Sequence, residues 1–306
     1  MREWNLTISP VLAGCTVERA LRRGLGLSST RIKRAKFRPD GILLDGVRVR
    51  TTETVRAGQQ LTLRLPEQEM SELVPAPGPV DILYEDPWLL ALNKPAGIAT
   101  HPCSNHYDDT LANRLARVYQ ERGASLVFRA VNRLDIGTSG VLLVAKTWAS
   151  QEALQGLLHT DQFIRTYLAL TGICPHPDHG VIDQPIGEDP DRQAYRVDPA
   201  GKPAVTAYEV LGQRGPYVLL RLRLYTGRTH QIRVHLAALG CPLVGDELYG
   251  GEGDLSRPAL HSHTVDLVHP FTGEKLHIVA PVPTELKPWM DEQNRKRSVG
   301  RGAALR

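Results

Sequence analysis

The sequence predicts an α+β protein with a mixed, mostly antiparallel central sheet flanked by helices and a small basic α/β module at the N-terminus. Three observations support this prediction. Short apolar runs typical of strands alternate with only two or three helical stretches over most of the chain. Short connections rich in Gly and Pro join these runs, as is usual between antiparallel strands. Finally, 42% of the 306 residues are hydrophobic, enough for one large domain or two smaller ones.

Residues 1–70 are predicted to form the small N-terminal module. A helical stretch covers residues 16–25, and a second one follows Ser28-Ser29-Thr30, which are good N-cap residues. Strand-like runs follow at 41–44 and 60–65, with a turn at Asp45-Gly46. This order resembles the small RNA-binding module, named after a ribosomal protein, that precedes many RNA-modifying domains. The resemblance implies that RNA is bound by the basic residues around the second helix, Arg31, Lys33, Arg34, Lys36 and Arg38.

The rest of the chain divides into a linker, a large domain and a tail. Residues 71–79 have the composition of a semi-rigid linker, since they include Pro75, Pro77, Gly78 and Pro79. Residues 80–290 are predicted to form the main domain, with helices at 111–122 and 149–160. Its strands are expected at 82–84, 89–92, 141–145, 167–170, 217–224 and 263–267. The basic tail, residues 291–306, is predicted to be disordered.

Charge is unevenly distributed along the chain. Residues 1–70 carry 13 basic and 7 acidic residues, residues 71–290 carry 19 and 24, and the tail carries 5 and 2. Basic ends around a mildly acidic body favour an anionic partner, and nucleic acid is the commonest one. A solvated basic surface without a partner is equally compatible with charge alone.

The sequence also bears on location. It contains no apolar stretch of transmembrane length, its first residues lack the pattern of a signal peptide, and its four cysteines are widely scattered. We therefore expect a cytoplasmic protein with reduced thiols and no membrane partner.

The most informative segment spans residues 129–146, RAVNRLDIGTSGVLLVAK. It reads as a strand, a polar turn that carries Asp135, and a second strand. Gly137 and Gly140 allow a tight turn that leaves the carboxylate on a loop of a rigid sheet. Residues of this type are more often turn formers than catalytic groups, so the segment alone leaves both roles open.

The whole segment resembles the signature of the RluA-type family of RNA pseudouridine synthases, which is His-Arg-Leu-Asp followed by Thr-Ser-Gly and an apolar strand. Five long motifs in the family's order are far more specific than any one of them. The other four are residues 80–102 with the Asn-Lys-Pro-x-Gly turn, 164–170 with 201–206, 227–250, and 259–261 with 269–274. The resemblance covers residues 80–284 and implies the pseudouridine synthase fold and an isomerase that converts uridine in ribosomal or transfer RNA to pseudouridine.

The resemblance assigns roles to single residues. Asp135 corresponds to the catalytic aspartate, acting either as a nucleophile on the sugar or as the base of a glycal-type elimination. Tyr167 corresponds to the tyrosine that lines the site and stacks on the uracil. Arg233 corresponds to the arginine that pairs with the aspartate and keeps it ionised.

Two more arginines are expected to contact RNA. Arg133 matches the position that enters the RNA stack when the target base leaves it. Arg228 is expected at the site or, with equal weight, in a surface phosphate contact or structural ion pair. Asn132 stands where the best-known members have His, and we expect it to change local hydrogen bonding without abolishing activity.

The sequence indicates no cofactor and no metal. His230 and His235 are five residues apart, which does not suit two ligands on one helical face, and phosphate-binding glycine motifs are absent. The isomerisation is redox-neutral, and we expect a monomer whose partner is the RNA substrate. Two alternatives stay open: an inactive RNA-binding or ribosome-assembly factor on the same fold, and a hydrolase that uses Asp135 with His101 or His261.

Overall fold

The computed structural model describes residues 2–25, 27, 29–65, 73–103 and 105–289. The chain forms two compact units, Met1–Met70 and Ser71–Arg306. No helix in the described ranges is long and apolar enough to cross a membrane.

The first unit packs two helices on a small antiparallel sheet. The helices are α1 (Val17–Leu25) and α2 (Ser29–Lys36), and the strands are β1 (Arg2–Thr7), β2 (Ile42–Leu44), β3 (Val47–Arg48) and β4 (Gln60–Leu65). The strand order is β1-β4-β2-β3. Asp45 and Gly46 have φ values of 51° and 80°, the left-handed geometry that tight hairpin turns require, and they join β2 to β3. The sequence did not indicate β1, which pairs along the whole of β4.

Helix α2 separates an apolar face from a basic one. Ile32 and Ala35 are buried in the core of the unit, whereas Lys33, Arg34 and Lys36 are exposed. Arg38 follows the helix and lies 3.4 Å from the Asp40 carboxylate. The Arg31 side chain and residue Ser28 lie outside the described residues.

The second unit contains three helices and twelve strands within the described residues. The helices are α3 (Leu111–Glu121), α4 (Trp148–Leu157) and α5 (Gln231–Ala238), with a short 3-10 helix at Glu247–Tyr249. The strands are β5 (Ile82–Glu85), β6 (Leu89–Lys94), β7 (Arg129–Ala130), β8 (Ser139–Ala145), β9 (Phe163–Thr171), β10 (His179–Asp183), β11 (Ile186–Asp189), β12 (Ala194–Val197), β13 (Val205–Arg214), β14 (Tyr217–Leu224), β15 (Leu260–Val268) and β16 (Lys275–Val279).

Most of these strands form one large sheet with the order β10-β13-β14-β9-β15-β8-β6-β5, in which β16 also pairs with β15 and β7 with β8. The pairings of this sheet are antiparallel apart from β8 with β15, which is parallel. Strands β11 and β12 form a separate hairpin. The predicted mixed, mostly antiparallel sheet with flanking helices is therefore confirmed.

The centre of the sheet is covered on both faces. Along β6, Leu90 and Leu92 point into one core cluster, and Leu89 and Ala91 point into another, as the two-residue period of a strand requires. Helix α3 covers the first face and α4 the second, through residues such as Leu115 and Leu154, respectively. Strand β8 is buried along its whole length, so its ends are rigid supports for the loops that continue from them.

The segment predicted as a linker lies only partly within the described residues. Residues 71 and 72 are outside them, and so is the tail from 290 onward. In the described part, the Asn113 side-chain amide donates to the carbonyl of Val74 at 2.9 Å, and the Ala76 amide donates to the carbonyl of Asn113 at 3.1 Å. These bonds fix residues 74–76 on α3.

Candidate active site

Asp135 lies in the loop of residues 131–138 between β7 and β8, which was predicted as a polar turn between two strands. Its side chain is 29% exposed, so the carboxylate is reachable from solvent. Asn132 fixes the start of the loop: its side-chain oxygen accepts from the Leu143 amide at 2.8 Å, and its amide donates to the Val141 carbonyl at 3.3 Å. Asn132 therefore bonds to the backbone of β8 and lies buried beneath the loop.

Lys94, at the end of β6, holds the loop from below. Its side chain is fully buried, and its Nζ donates to the carbonyls of Pro95, Ile136 and Thr138 at 3.0, 3.2 and 2.9 Å. Burial lowers the pKa of Lys94 to about 7, and the negative charge of Asp135 opposes that change. The lysine thus ties the turn after β6 to the loop on both sides of Gly137.

The carbonyls of Leu134, Asp135 and Gly137 also accept hydrogen bonds, and Ile136 accepts a second one, so the part of the loop around Asp135 is fixed. Three contacts from other segments and one within the loop provide them: Thr100 Oγ1 to Leu134 O at 3.0 Å, Gly97 N to Ile136 O at 2.8 Å, Arg257 Nη1 to Gly137 O at 2.9 Å, and Thr138 N to Asp135 O at 3.0 Å. A backbone held in this way keeps the carboxylate in one place before substrate arrives, which is the requirement for efficient catalysis.

Gly140 is required where the loop enters β8. Its φ is 109°, and a Cβ at this position would lie 2.0 Å from the carbonyl oxygen of Ser262. Glycine is therefore needed for the close parallel approach of β8 and β15 beside the site.

Arg233, on α5, faces Asp135. Its Nη1 lies 3.6 Å from Asp135 Oδ2, which is an ion pair rather than a close hydrogen bond. Its other two nitrogens bind Asp246, with Nε to Oδ2 at 2.7 Å and Nη2 to Oδ1 at 2.8 Å. The family resemblance predicted Asp135 as the partner of Arg233. In the structure Asp246 is the closer partner of Arg233 and orients its guanidinium.

His230 and Tyr249 complete the surroundings of the carboxylate. His230 Nε2 lies 3.9 Å from Asp135 Oδ2, and His230 Nδ1 lies 2.9 Å from the Tyr249 hydroxyl. The Tyr249 ring also lies under the guanidinium of Arg233, 4.9 Å from its centre. Asp135 Oδ2 thus faces both Arg233 and His230.

Tyr167 lies on β9 and is only 4% exposed. Burial raises the pKa of its phenol, and Asp135 is close enough to raise it further, whereas Arg165 and a hydrogen bond with Ser262 lower it. Tyr167 is therefore a neutral phenol in the wall of the site rather than a ring presented to solvent.

The structure places the two RNA-contact candidates differently. The exposed Arg133 extends from the same loop as Asp135, with its Nη2 3.3 Å from the Thr229 hydroxyl. Arg228 instead turns back on the protein, donating from Nε to the Pro203 carbonyl at 2.9 Å. This contact is to a neutral carbonyl, so the site role, the phosphate contact and the ion pair considered for Arg228 all stay predictions.

From the sequence, His230 was considered only as a metal ligand, and three other site residues were not singled out: Lys94, Asp246 and Tyr249. Each lies inside a motif that carried the family resemblance, the Asn-Lys-Pro turn or the Gly-Asp-Glu-Leu-Tyr-Gly run. For Lys94 and Asp246 the available signal was a charge within a family motif, because a charge buried in a core needs a partner; Tyr249 offered no such signal.

An open depression of about 650 Å³ lies elsewhere on this unit. Tyr208, Arg221 and Arg223 are among its lining residues, but Asp135, Tyr167 and Arg233 are not. The chemistry of the site therefore belongs to the Asp135 loop and not to this depression. Within the ranges that the structure describes, no three His, Cys, Asp or Glu side chains cluster as a metal site would require.

Comparison with known proteins identifies the family of this chain. Residues 89–238 match the family model described as RNA pseudouridylate synthase, and this range contains Asp135, Tyr167 and Arg233. An uncharacterized RNA pseudouridine synthase of Bacillus subtilis is 44% identical over 76% of this chain and 78% of its own. The ribosomal large subunit pseudouridine synthase D of Xanthomonas campestris is 38% identical over 81% of this chain and 80% of its own.

Solved structures show the same fold. Human RNA pseudouridylate synthase domain containing 4 is 26% identical, with a TM-score of 0.56 over 68% of this chain and 90% of its own. Human RNA pseudouridylate synthase domain containing 1 has the same identity and a TM-score of 0.53 over 68% of this chain and 86% of its own. The chain belongs to the RluA-type family of RNA pseudouridine synthases and is an isomerase of that class.

Proposed function

We propose that the protein converts a uridine of large-subunit ribosomal RNA to pseudouridine and that Asp135 is the catalytic group. The observation that carries this proposal is the placement of Asp135: a partly exposed carboxylate on a fixed loop, with Arg233 Nη1 at 3.6 Å. Large-subunit RNA is proposed because relatives 36% to 39% identical are named ribosomal large subunit pseudouridine synthase D. Transfer RNA is the other substrate class in which we would look for the product.

The proposed reaction breaks the bond between ribose C1′ and uracil N1 and forms a bond between C1′ and C5. The uracil leaves ribose C1′ as the C1′–N1 bond breaks, turns, and reattaches through C5; C5 then loses its proton and N1 gains one, so the mass is unchanged. Asp135 assists either by bonding to C1′ or by removing a proton from the sugar. Arg233 offsets the cost of placing the carboxylate against an RNA backbone that is itself negative.

Tyr167 and Arg133 are proposed to handle the base and the RNA stack. As a neutral phenol, Tyr167 can donate a hydrogen bond to the uracil without adding charge to the site, and stacking of its ring on the uracil requires that RNA binding uncover a ring that is only 4% exposed. Arg133, exposed on the same loop as Asp135, can take the place of the extruded nucleotide, because a planar guanidinium both stacks and binds phosphate.

The first unit is proposed to supply general affinity for RNA through the exposed basic residues of α2. We also propose that the protein acts in the cytoplasm, where its RNA substrate is available. We propose that it does so as a monomer.

The test uses Asp135→Asn, which keeps the size of the side chain and removes its charge. We expect wild-type protein to convert uridine in transcripts of large-subunit RNA to a product of equal mass, and Asp135→Asn to bind the same RNA without forming it. Pseudouridine maps of total RNA from cells with and without the gene would then identify the position. Product at the wild-type rate from Asp135→Asn would overturn the assignment of the aspartate, free uracil would indicate a hydrolase, and the absence of any product with wild-type protein would favour an inactive RNA-binding factor.

A further inference from the structure

His230 occupies an unfavourable backbone conformation beside Asp135. It precedes the first residue of α5 with φ 55° and ψ 19°, the left-handed region that residues other than glycine rarely adopt. Its side chain makes no cap hydrogen bond to the helix. Strained residues of this kind persist where surrounding contacts hold them and are concentrated at functional sites.

The contacts that hold His230 form a chain of three groups ending at Asp135. The Tyr195 amide, on β12, donates to the Tyr249 hydroxyl oxygen at 3.1 Å. That hydroxyl lies 2.9 Å from His230 Nδ1, and His230 Nε2 lies 3.9 Å from Asp135 Oδ2. The rings of Tyr195 and Tyr249 both pack edge-on against the imidazole, at 5.6 and 5.7 Å between ring centres.

This chain selects one tautomer of the imidazole. Because the Tyr195 amide donates to the phenol oxygen, the hydroxyl hydrogen of Tyr249 is available to point at His230 Nδ1, which then accepts it. With the hydroxyl oriented in this way, the proton of a neutral imidazole is on Nε2, the nitrogen that faces Asp135. The other tautomer would set the Nε2 lone pair against a carboxylate oxygen, which is repulsive.

The charge of His230 fits the same assignment. Burial lowers its pKa, and Arg233 lowers it too, whereas the carboxylates of Asp135 and Asp246 act in the opposite direction. A neutral imidazole at physiological pH offers one N–H donor, so its orientation determines what it can do.

We propose that His230, oriented by Tyr249, is a positioning residue that holds Asp135 Oδ2 through its Nε2–H and leaves Oδ1 directed at the ribose. The inference rests on the proposed role of Asp135 as the catalytic group. Arg233 faces the same Oδ2 atom, so both contacts act on one oxygen and fix the rotation of the carboxylate. The 3.9 Å separation shortens to a hydrogen bond with a movement of roughly 1 Å, as catalytic contacts commonly do when substrate binds.

Two matched substitutions separate this role from a backbone effect. Gln can place an amide N–H near the position of Nε2, whereas the shorter Asn reaches only the position of Nδ1. The backbone preference runs the other way, because Asn tolerates the left-handed conformation better than Gln. If His230 acts by donating to Asp135, His230→Gln will be the more active variant; if its backbone is what matters, His230→Asn will be.

The experiment measures single-turnover pseudouridine formation and RNA affinity with the full chain and a large-subunit RNA transcript that contains labelled uridine. We expect His230→Gln to retain a rate within about tenfold of wild type and His230→Asn to lose about 100-fold, the scale of a small misplacement of a reacting group. RNA affinity should be unchanged in both. A faster His230→Asn, or equal rates in the two variants, would overturn the inference.

Tyr249→Phe in the wild-type background provides a second arm whose first measurement needs no His230 variant. It should slow wild type, because the tautomer is no longer selected, and should cost nothing further in His230→Gln, whose amide needs no tautomer. Additive losses would contradict the proposal. Nitrogen NMR of 15N-histidine protein, with the His230 signal assigned from His230→Asn, should show the Nε2-protonated form in wild type; an Nδ1-protonated form would overturn the tautomer assignment.

Failure of this inference and failure of the proposed function have different signatures. The proposed function fails if wild type forms no pseudouridine or if Asp135→Asn forms it normally. The inference fails if Asp135 proves essential while His230→Asn is as active as His230→Gln or more active.

Discussion

Arg233 and Asp246 form a two-bond pair in which the Asp246 side chain is 1% exposed and the Arg233 side chain 10%. Removing the charge of Asp246 leaves a buried guanidinium that lacks its main partner and its orientation toward Asp135. We expect Asp246→Asn to lower the free energy of unfolding by about 3 kcal/mol and the single-turnover rate by about 100-fold.

Urea denaturation and single-turnover kinetics measure the two effects of Asp246→Asn. Glu209→Gln is the matched control, because Glu209 pairs with Arg221 at an exposed position where ion pairs contribute little. A wild-type rate in Asp246→Asn would show that Arg233 needs no second carboxylate.

Lys94→Met should loosen the loop that carries Asp135. The substitution keeps much of the apolar stem and removes the donor for three carbonyls, so we expect a loss of about 2 to 4 kcal/mol in the free energy of unfolding and a lower rate at saturating RNA. Lys94→Arg should not restore activity, because a larger head does not fit a fully buried position. Lys275→Met, at an exposed position on β16, should change neither stability nor rate. An active, stable Lys94→Met protein would mean that the loop is held without the lysine.

His261 should make the protein less stable in mild acid. Burial, together with His263 and Arg257, lowers the pKa of His261 from 6.5 to about 4 in the folded protein. Between these two values the unfolded chain binds a proton that the folded protein does not, so stability falls as the pH drops from 6.5 and stops falling near 4. The contribution is about 3 kcal/mol.

His261→Asn should remove the part of the loss of stability at low pH that His261 causes, while keeping a polar group toward Ser139. Chemical denaturation at pH 7 and pH 4.5 would measure the difference, with His179→Asn as a control, because the His179 side chain is 78% exposed. An identical pH dependence in His261→Asn and wild type would disprove this source of acid sensitivity.

The basic residues of α2 should account for part of the salt dependence of RNA binding. Each phosphate contact that is lost reduces the slope of log affinity against log salt by roughly 0.7 to 0.9. Replacing Lys33 and Lys36 by Gln should therefore flatten the slope by roughly 1 to 2, with little effect on the rate at saturating RNA. Lys275→Gln controls for the loss of a charge from the other unit. An unchanged slope would count against the proposed role of the first unit.

The sequence predicted the parts of the molecule that depend on local pattern. The strand, turn and strand around Asp135 were predicted correctly because glycines and apolar runs lie within a few residues of each other. The fold class followed for the same reason. Arg233 was predicted through the family motif, and the structure does place it near Asp135.

Other features depend on contacts between distant segments, which one sequence does not reveal. The partnership of Arg233 with Asp246 exists only once α5 packs beside the 3-10 helix. From the sequence alone Lys94 would be taken for a surface charge. Its burial follows from the position of β6 beneath the Asp135 loop, where Lys94 contacts Ile136, 42 residues later in the chain. Strand β1 has few apolar residues and becomes a strand because β4 offers it a complete edge.

The parallel contact between β8 and β15 joins parts of the chain that are synthesised far apart. Ser139 and His261, which meet there, are separated by 122 positions. Contacts of such long range form late in folding, since the entropy of closing a large loop opposes them. Arg257, which holds the Gly137 carbonyl, arrives with this same late segment. A nascent chain therefore carries Asp135 well before it contains Arg233 and Arg257, the residues of the second half of the chain that hold the carboxylate and its loop.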